Sequence, residues 1–197
     1  MPFVGLTGGI GAGKSTALAA LERLGAAVLS TDQLVHQLYR SDDIRDAVVG
    51  RWGDEVAPGG SVDRTAVAER VFGSEDDRRW LEQLLWPRVG ERMAAWRADV
   101  ARREPPPIVA VVEVPLLFEA GMEDGFDVTL AVVAPEEVRA QRAAGRGHAS
   151  VDERGARHLT QDEKSQRATF TVCNDASIAD LETRLSAILE NLKTTER

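Results

Sequence analysis

The chain has 197 residues, 43% of them apolar and 28% charged, the proportions of an ordinary globular protein built on one domain with elaborations. Its 24 basic and 32 acidic residues leave a formal charge of −8, which argues against a general nucleic-acid-binding surface. Cys173 is the lone cysteine, and His36, His148 and His158 have no metal-ligand spacing, so neither a disulfide framework nor a cysteine zinc site is expected. The start of the chain carries no secretion signal and no apolar run approaches the ~20 residues that cross a bilayer, so the expected compartment is the cytoplasm and no membrane partner is expected.

Pro2 to Thr7 is a short apolar run that reads as a strand, and it leads through a glycine loop into a helix over Lys14 to Leu24. Gly25 suits the end of that helix. Ala26 to Ser30 reads as a second strand and Asp32 to Tyr39 as the next helix, the opening of a parallel α/β sheet. From about residue 42 to 104 the strand signal fades. Val62 to Phe72 and the stretch around Trp80, Leu81, Leu84 and Leu85 look helical, and Pro87 is placed to start another helix. Val89, Met93, Trp96 and Val100 form one stripe of that helix, which reads as a packed core face. Pro105-Pro106-Pro107 then breaks the pattern and feeds Ile108 to Val112, an unbroken apolar run of the kind found in buried parallel strands. Asp127 to Val133 is another. A helix follows from Pro135 through Arg146, then two polar helical segments, a last strand at Thr169 to Cys173 and a closing amphipathic helix over Ile178 to Leu192. Four or five such strands separated by helices give a doubly wound α/β sheet.

Gly8-Gly9-Ile10-Gly11-Ala12-Gly13-Lys14-Ser15-Thr16 satisfies G-x-x-x-x-G-K-[ST] in full, between an apolar strand and a helix. The glycines allow consecutive N–H groups to converge on a polyphosphate, and the helix adds its positive end. Gly11, Ala12, Gly13, Lys14, Ser15 and Thr16 are the candidate nucleotide-binding residues, with Lys14 reaching the β/γ-phosphates and the Ser15 hydroxyl a ligand for Mg²⁺. Switch GTPases read guanine through N-K-x-D, which is absent. A small α/β chain with a helical insertion and a late cluster of arginines points to an ATP-dependent kinase acting on a small acceptor.

The residues resemble the dephospho-CoA kinase family nearly end to end. The resemblance rests on Leu6-Thr7-Gly8 to Thr16, on Leu24-Gly25, on Asp32 just after the second strand, and on Leu84-Leu85-Trp86-Pro87. It continues through Val114-Pro115-Leu116-Leu117-Phe118-Glu119, through Arg142 and Arg146 as R-x-x-x-R, and through Asn174-Asp175. Ser30, Trp86 and Thr169 depart from the family pattern, which has an acid, a histidine and an aspartate there. The resemblance implies a single P-loop kinase domain with a five-stranded parallel core at about 1–40, 105–135 and 168–197. It further implies a helical acceptor-binding insertion at about 41–104 and a lid at about 136–167. The implied acceptor is dephospho-CoA, phosphorylated on its ribose 3′-hydroxyl at the expense of ATP with Mg²⁺, by a chain expected to be a monomer. Another small-molecule kinase, for a nucleoside monophosphate or a sugar, and a non-catalytic ATP-binding module are the competing readings.

The site residues carry alternatives. Asp32, beyond the carboxyl end of a strand, would accept the hydroxyl proton or hold Mg²⁺ through water, or else cap the next helix. Arg142 and Arg146 lie four apart on one helical face and would clamp the transferring phosphoryl group, or else be solvated surface arginines. Glu113 ends a strand where an acid would meet Mg²⁺ through water, or pair with a neighbouring base. Glu119 and Leu116, within the P-L-L-x-E match, would shape the acceptor pocket, and Arg154 and Arg157 compete for one lid arginine.

Overall fold

The computed structural model describes residues 1–144 and 159–195, which divide into two compact units: Met1–Ser30 with Asp99–Arg197, and Thr31–Ala98. The first unit is built on one fully parallel sheet of β1 (Phe3–Gly8), β2 (Ala27–Ser30), β3 (Ala110–Glu113), β4 (Val128–Val133) and β5 (Phe170–Cys173), ordered β2-β3-β1-β4-β5. All five expected strands are present, shifted by one or two residues at their ends. With β1 central, the chain leaves it first toward β2 and β3 and then crosses to β4 and β5. That reversal opens a crevice at the carboxyl ends of the strands, and the glycine loop sits there because it follows β1 directly.

Alternation within each strand decides what covers each face. Val4 and Leu6 of β1, Val111 of β3, Leu130 and Val132 of β4 and Val172 of β5 join one buried cluster with Ala17, Ala20 and Leu21 of α1 (Lys14–Arg23). The closing helix α8 (Ile178–Thr195) adds Leu181, Leu185, Leu189 and Leu192 to that cluster. Each of those leucines is nearly fully buried, worth about 1.5–3 kcal/mol apiece. Helix α8 starts on a reciprocal cap, with Asp180 N–H donating to Ser177 Oγ and the Ser177 N–H and hydroxyl donating to Asp180 Oδ2. On the opposite face Gly5 leaves room for Phe126 and Leu117, since a Cβ there would lie 2.9 Å and 3.1 Å from them. Phe3 stacks on Phe126 with centroids 4.8 Å apart. Helices α6 (Glu136–Ala144) and α7 (Gln161–Arg167) complete this unit among the described residues.

The second unit is helical: α2 (Thr31–Leu38), α3 (Asp42–Trp52), α4 (Arg64–Phe72) and most of α5 (Glu75–Val100). Asp63 caps α4, accepting from the N–H groups of Thr65 and Ala66. Trp52 packs edge-on against Trp80 at 5.1 Å. Two expectations need correction. Pro87 does not begin a helix; it lies inside the single 26-residue α5. Proline removes one intrahelical hydrogen bond, here the one to Gln83, but both residues are exposed, so solvent can replace the lost bond. Asp32 is not the cap of α2, because the helix already includes Thr31 and places Asp32 in its first turn, where a carboxylate is favoured by the helix dipole. Of the expected stripe, Val89, Met93 and Val100 are buried and Trp96 is half-buried. No helix among the described residues is long and apolar enough to cross a membrane.

Candidate active site

The glycine loop turns out of β1 and into α1 with backbone that only glycine tolerates. Gly13 adopts φ 91° and a Cβ there would lie 2.1 Å from Asn174 Nδ2; Gly11 adopts φ 76° and its Cβ would lie 2.6 Å from the Arg139 carbonyl oxygen. Gly13 is also the N-cap of α1 and offers no side-chain acceptor, so the first N–H groups of the helix have no capping side chain. An anion is the natural cap for such a terminus. The Lys14 ammonium folds over the loop and donates to the carbonyl oxygens of Gly8 and Gly9 at 3.1 Å and 3.2 Å. Ser15 is exposed and Thr16 half-buried on the first turn.

The outer wall of the loop comes from residues far along the chain. Arg139 of α6 donates from Nε to the Ile10 carbonyl at 2.9 Å, and from Nη1 to Glu136 at 2.7 Å. Asn174, just past β5, donates from Nδ2 to the Ala12 carbonyl at 2.9 Å. Arg142, one turn along α6, donates from Nη1 to the Asn174 carbonyl at 3.3 Å; the same atom is 3.4 Å from where a Gly13 Cβ would stand. The structure thus brings Gly11, Ala12, Gly13, Lys14 and Arg142 together. Arg146 lies outside the described residues, as do Arg154 and Arg157.

Glu113 closes β3 and is buried, in register with Leu6 of β1 on one side and Ser30 of β2 on the other. Glu119 is committed to a buried network: its Oε1 accepts from Lys164 Nζ at 2.9 Å and from the Leu159 N–H at 3.0 Å. Lys164 Nζ also donates to the Pro115 carbonyl at 2.7 Å and approaches Thr7 Oγ1 at 3.5 Å. Burial pushes the Lys164 ammonium below its ordinary pKa, and Glu119 pulls it back only in part. This network ties α7 to the end of β1 and to the Pro115–Glu119 turn. Glu119 Oε2 is buried with no partner among the described residues, so one oxygen of the carboxylate still has acceptor capacity. Leu116 on the same turn is 38% exposed. Asp32 belongs to the second unit, exposed in the first turn of α2, two residues beyond the last residue of β2.

A model of the dephospho-CoA kinase family matches residues 2–180. The chain belongs to that family. A dephospho-CoA kinase from Deinococcus radiodurans is 37% identical over 199 residues, a match covering 98% of this chain and 93% of the relative. A solved protein from Thermus thermophilus superposes with a TM-score of 0.78 at 36% identity, covering 97% of both chains. A shikimate kinase from Bacteroides thetaiotaomicron has TM-score 0.53 at 16% identity over 96% of this chain and 98% of its own; the two share the P-loop kinase fold.

Two of the departures from the dephospho-CoA kinase pattern have a structural setting. Thr169 precedes β5 and exchanges hydrogen bonds with Thr129 of β4: each N–H donates to the other's Oγ1, at 3.0 and 3.1 Å. Its hydroxyl therefore fastens the start of the edge strand. Ser30 is buried at the end of β2, whereas Trp86 is 49% exposed on α5. Sequence reasoning gave no role to Arg139 or Lys164. Arg139 lies one turn before Arg142, and that i, i+3 spacing was the available signal. Lys164 sits in a polar heptapeptide, and nothing local marks it as buried.

Proposed function

We infer that this member of the dephospho-CoA kinase family transfers the γ-phosphoryl group of ATP to the ribose 3′-hydroxyl of dephospho-CoA, giving ADP and coenzyme A. The observation that carries the reading is the complete phosphate loop on β1 and α1 with the Arg142 guanidinium against it. In the transfer, the 3′-oxygen forms a bond to the γ-phosphorus while the bond to the β–γ bridging oxygen breaks. The electrons of that bond stay with ADP. Backbone N–H groups of Gly11 to Ser15 hold the β-phosphate. Lys14 exchanges its loop carbonyls for phosphate oxygens, and Arg142 neutralises charge on the migrating group, joined by Arg146. Asp32 takes the hydroxyl proton; its exposure just beyond the carboxyl end of β2 supports this.

The residues suit Mg²⁺ held largely by the nucleotide: among the described residues no three His, Cys, Asp or Glu gather into an all-protein metal site, while Ser15 is exposed at the loop. Ser15 would ligate it directly, with Glu113 and Asp32 through water, and the cation would neutralise phosphate charge. Glu119 and Leu116 contribute to the acceptor side through the turn they share. The enzyme works as a cytoplasmic monomer beside its ATP supply.

Measuring ADP release and phosphorylated product with Mg²⁺-ATP against dephospho-CoA, nucleoside monophosphates and sugars tests the reading. Acceptor-stimulated turnover is expected with dephospho-CoA; transfer only to another acceptor, or none at all, would overturn it. Asp32→Asn should keep ATP affinity and lose about 10²–10⁴-fold in kcat; a near-normal rate would remove Asp32 from the chemistry.

A further inference from the structure

Lys164 of α7 is 1% exposed, and an ammonium is a costly group to bury. A buried ion pair rarely stabilises a fold more than apolar residues of the same volume would, so what this one supplies is geometry. An ammonium has three N–H donors, and here they face acceptors on two separate segments. Thr7 Oγ1 lies at 3.5 Å, the Pro115 carbonyl at 2.7 Å and Glu119 Oε1 at 2.9 Å. Thr7 closes the triangle, its hydroxyl donating to the same Pro115 carbonyl at 3.1 Å. On one side of this knot, Thr7 immediately precedes Gly8, where β1 ends and the phosphate loop begins. On the other, Pro115 and Glu119 bound the turn that contributes to the acceptor side. Helix α7 meets the same two segments at further points. A Cβ on Gly9 of the loop would stand 3.5 Å from Gln161 Cβ, while Arg167 pairs with Glu123 and lies over the Phe118 ring, 4.8 Å from its centroid.

We propose that Lys164 is a positioning residue for phosphoryl transfer: its ammonium holds the phosphate loop and the Pro115–Glu119 turn in register, so that the acceptor hydroxyl lies in line with the γ-phosphorus. The proposal rests on dephospho-CoA being the acceptor and on that turn serving it. Buried as it is, Lys164 meets neither substrate. Its loss therefore leaves each substrate able to bind and spoils their mutual alignment, a fault that falls on kcat.

Kinetics of the full chain separate positioning from mere support. Lys164→Met should lower kcat for dephospho-CoA phosphorylation about 10²-fold per folded molecule, the cost of roughly 1 Å of misalignment. KM for ATP, and the slow hydrolysis of ATP measured without acceptor, should stay near wild type. Leu189→Ala is the control: it empties a core site on α8 with a destabilisation of similar order, and its kcat per folded molecule should be unchanged. Urea unfolding supplies the folded fraction of each variant. If Lys164→Met does not fold, Thr7→Val carries the same comparison, losing the hydroxyl link to Pro115 but keeping the side-chain shape, with an expected drop of about 10-fold. A folded lysine variant with kcat no lower than that of Leu189→Ala would overturn the proposal, because Lys164 would then contribute stability alone. Equal losses of transfer and of acceptor-free hydrolysis would overturn it too, since they place the fault in the donor cradle. Either result leaves the acceptor assignment standing, whereas a wild-type chain inert toward dephospho-CoA removes that assignment and the proposal with it.

Discussion

The phosphate loop and the helical unit are held in shape in opposite ways. The loop uses backbone: its donors are N–H groups fixed by glycine conformations, and its walls are main-chain carbonyls gripped by Asn174 and Arg139. The helical unit uses long side chains: Arg51 of α3 meets Asp77 of α5, and Arg88 of α5 meets Asp43 of α3. A backbone cradle cannot be altered one donor at a time without bending the chain, whereas a side-chain cluster can be tuned residue by residue. A single substitution should therefore disable the first and only weaken the second.

The largest expected effect is at the loop. Lys14→Ala should lower kcat/KM by orders of magnitude while circular dichroism and melting stay near wild type, because its ammonium contacts loop carbonyls rather than core; retained transfer would break the contrast. Lys164→Met tests the support beneath the loop. It strands the Glu119 carboxylate, 11% exposed, without its counter-charge, at a cost of about 3–5 kcal/mol in urea unfolding. Adding Glu119→Leu should recover most of that loss, and failure to recover would mean that the network matters through geometry rather than charge. Gly13→Ala should cost about 1–3 kcal/mol and nucleotide affinity together, since φ 91° and the 2.1 Å approach to Asn174 both penalise a Cβ. Smallest is the cap of α7: Thr160→Ala should cost about 1 kcal/mol. That cap is also pH-sensitive. The Thr160 N–H and hydroxyl hold the Glu163 carboxyl below its usual 4.5, so its contribution is present above that pH and fades as acid carries the solution through the lowered value. Thermal melts of wild type and Thr160→Ala should draw closer at the acid end without merging, because the bond from the Glu163 N–H to Thr160 Oγ1 does not titrate.

The same contrast explains what could be read from the sequence. The loop was legible because its donors are contiguous and the glycines that shape it are part of the signature. The five strands were legible because a parallel sheet buried on both faces demands unbroken apolar runs. Long-range partners were not. Lys164 is surrounded in sequence by Glu163, Ser165, Gln166 and Arg167, and only the fold reveals that it points inward to Glu119. Arg64 reaches the imidazole of His36 from 28 positions away, a contact that no local period announces. Pro87 misled because a proline that starts a helix and one tolerated on an exposed helical face look alike until the burial of the carbonyl four residues earlier is known.

Asn174 closes on the Ala12 carbonyl across 162 positions of sequence. A ribosome that has released the first twenty residues has made the signature but not the clasp that shapes it. At about 5–20 residues per second, roughly 8 to 30 s pass before that asparagine is synthesised. Throughout that interval the nascent chain carries a phosphate-binding motif without its finished form, so competence to hold nucleotide arrives late in translation.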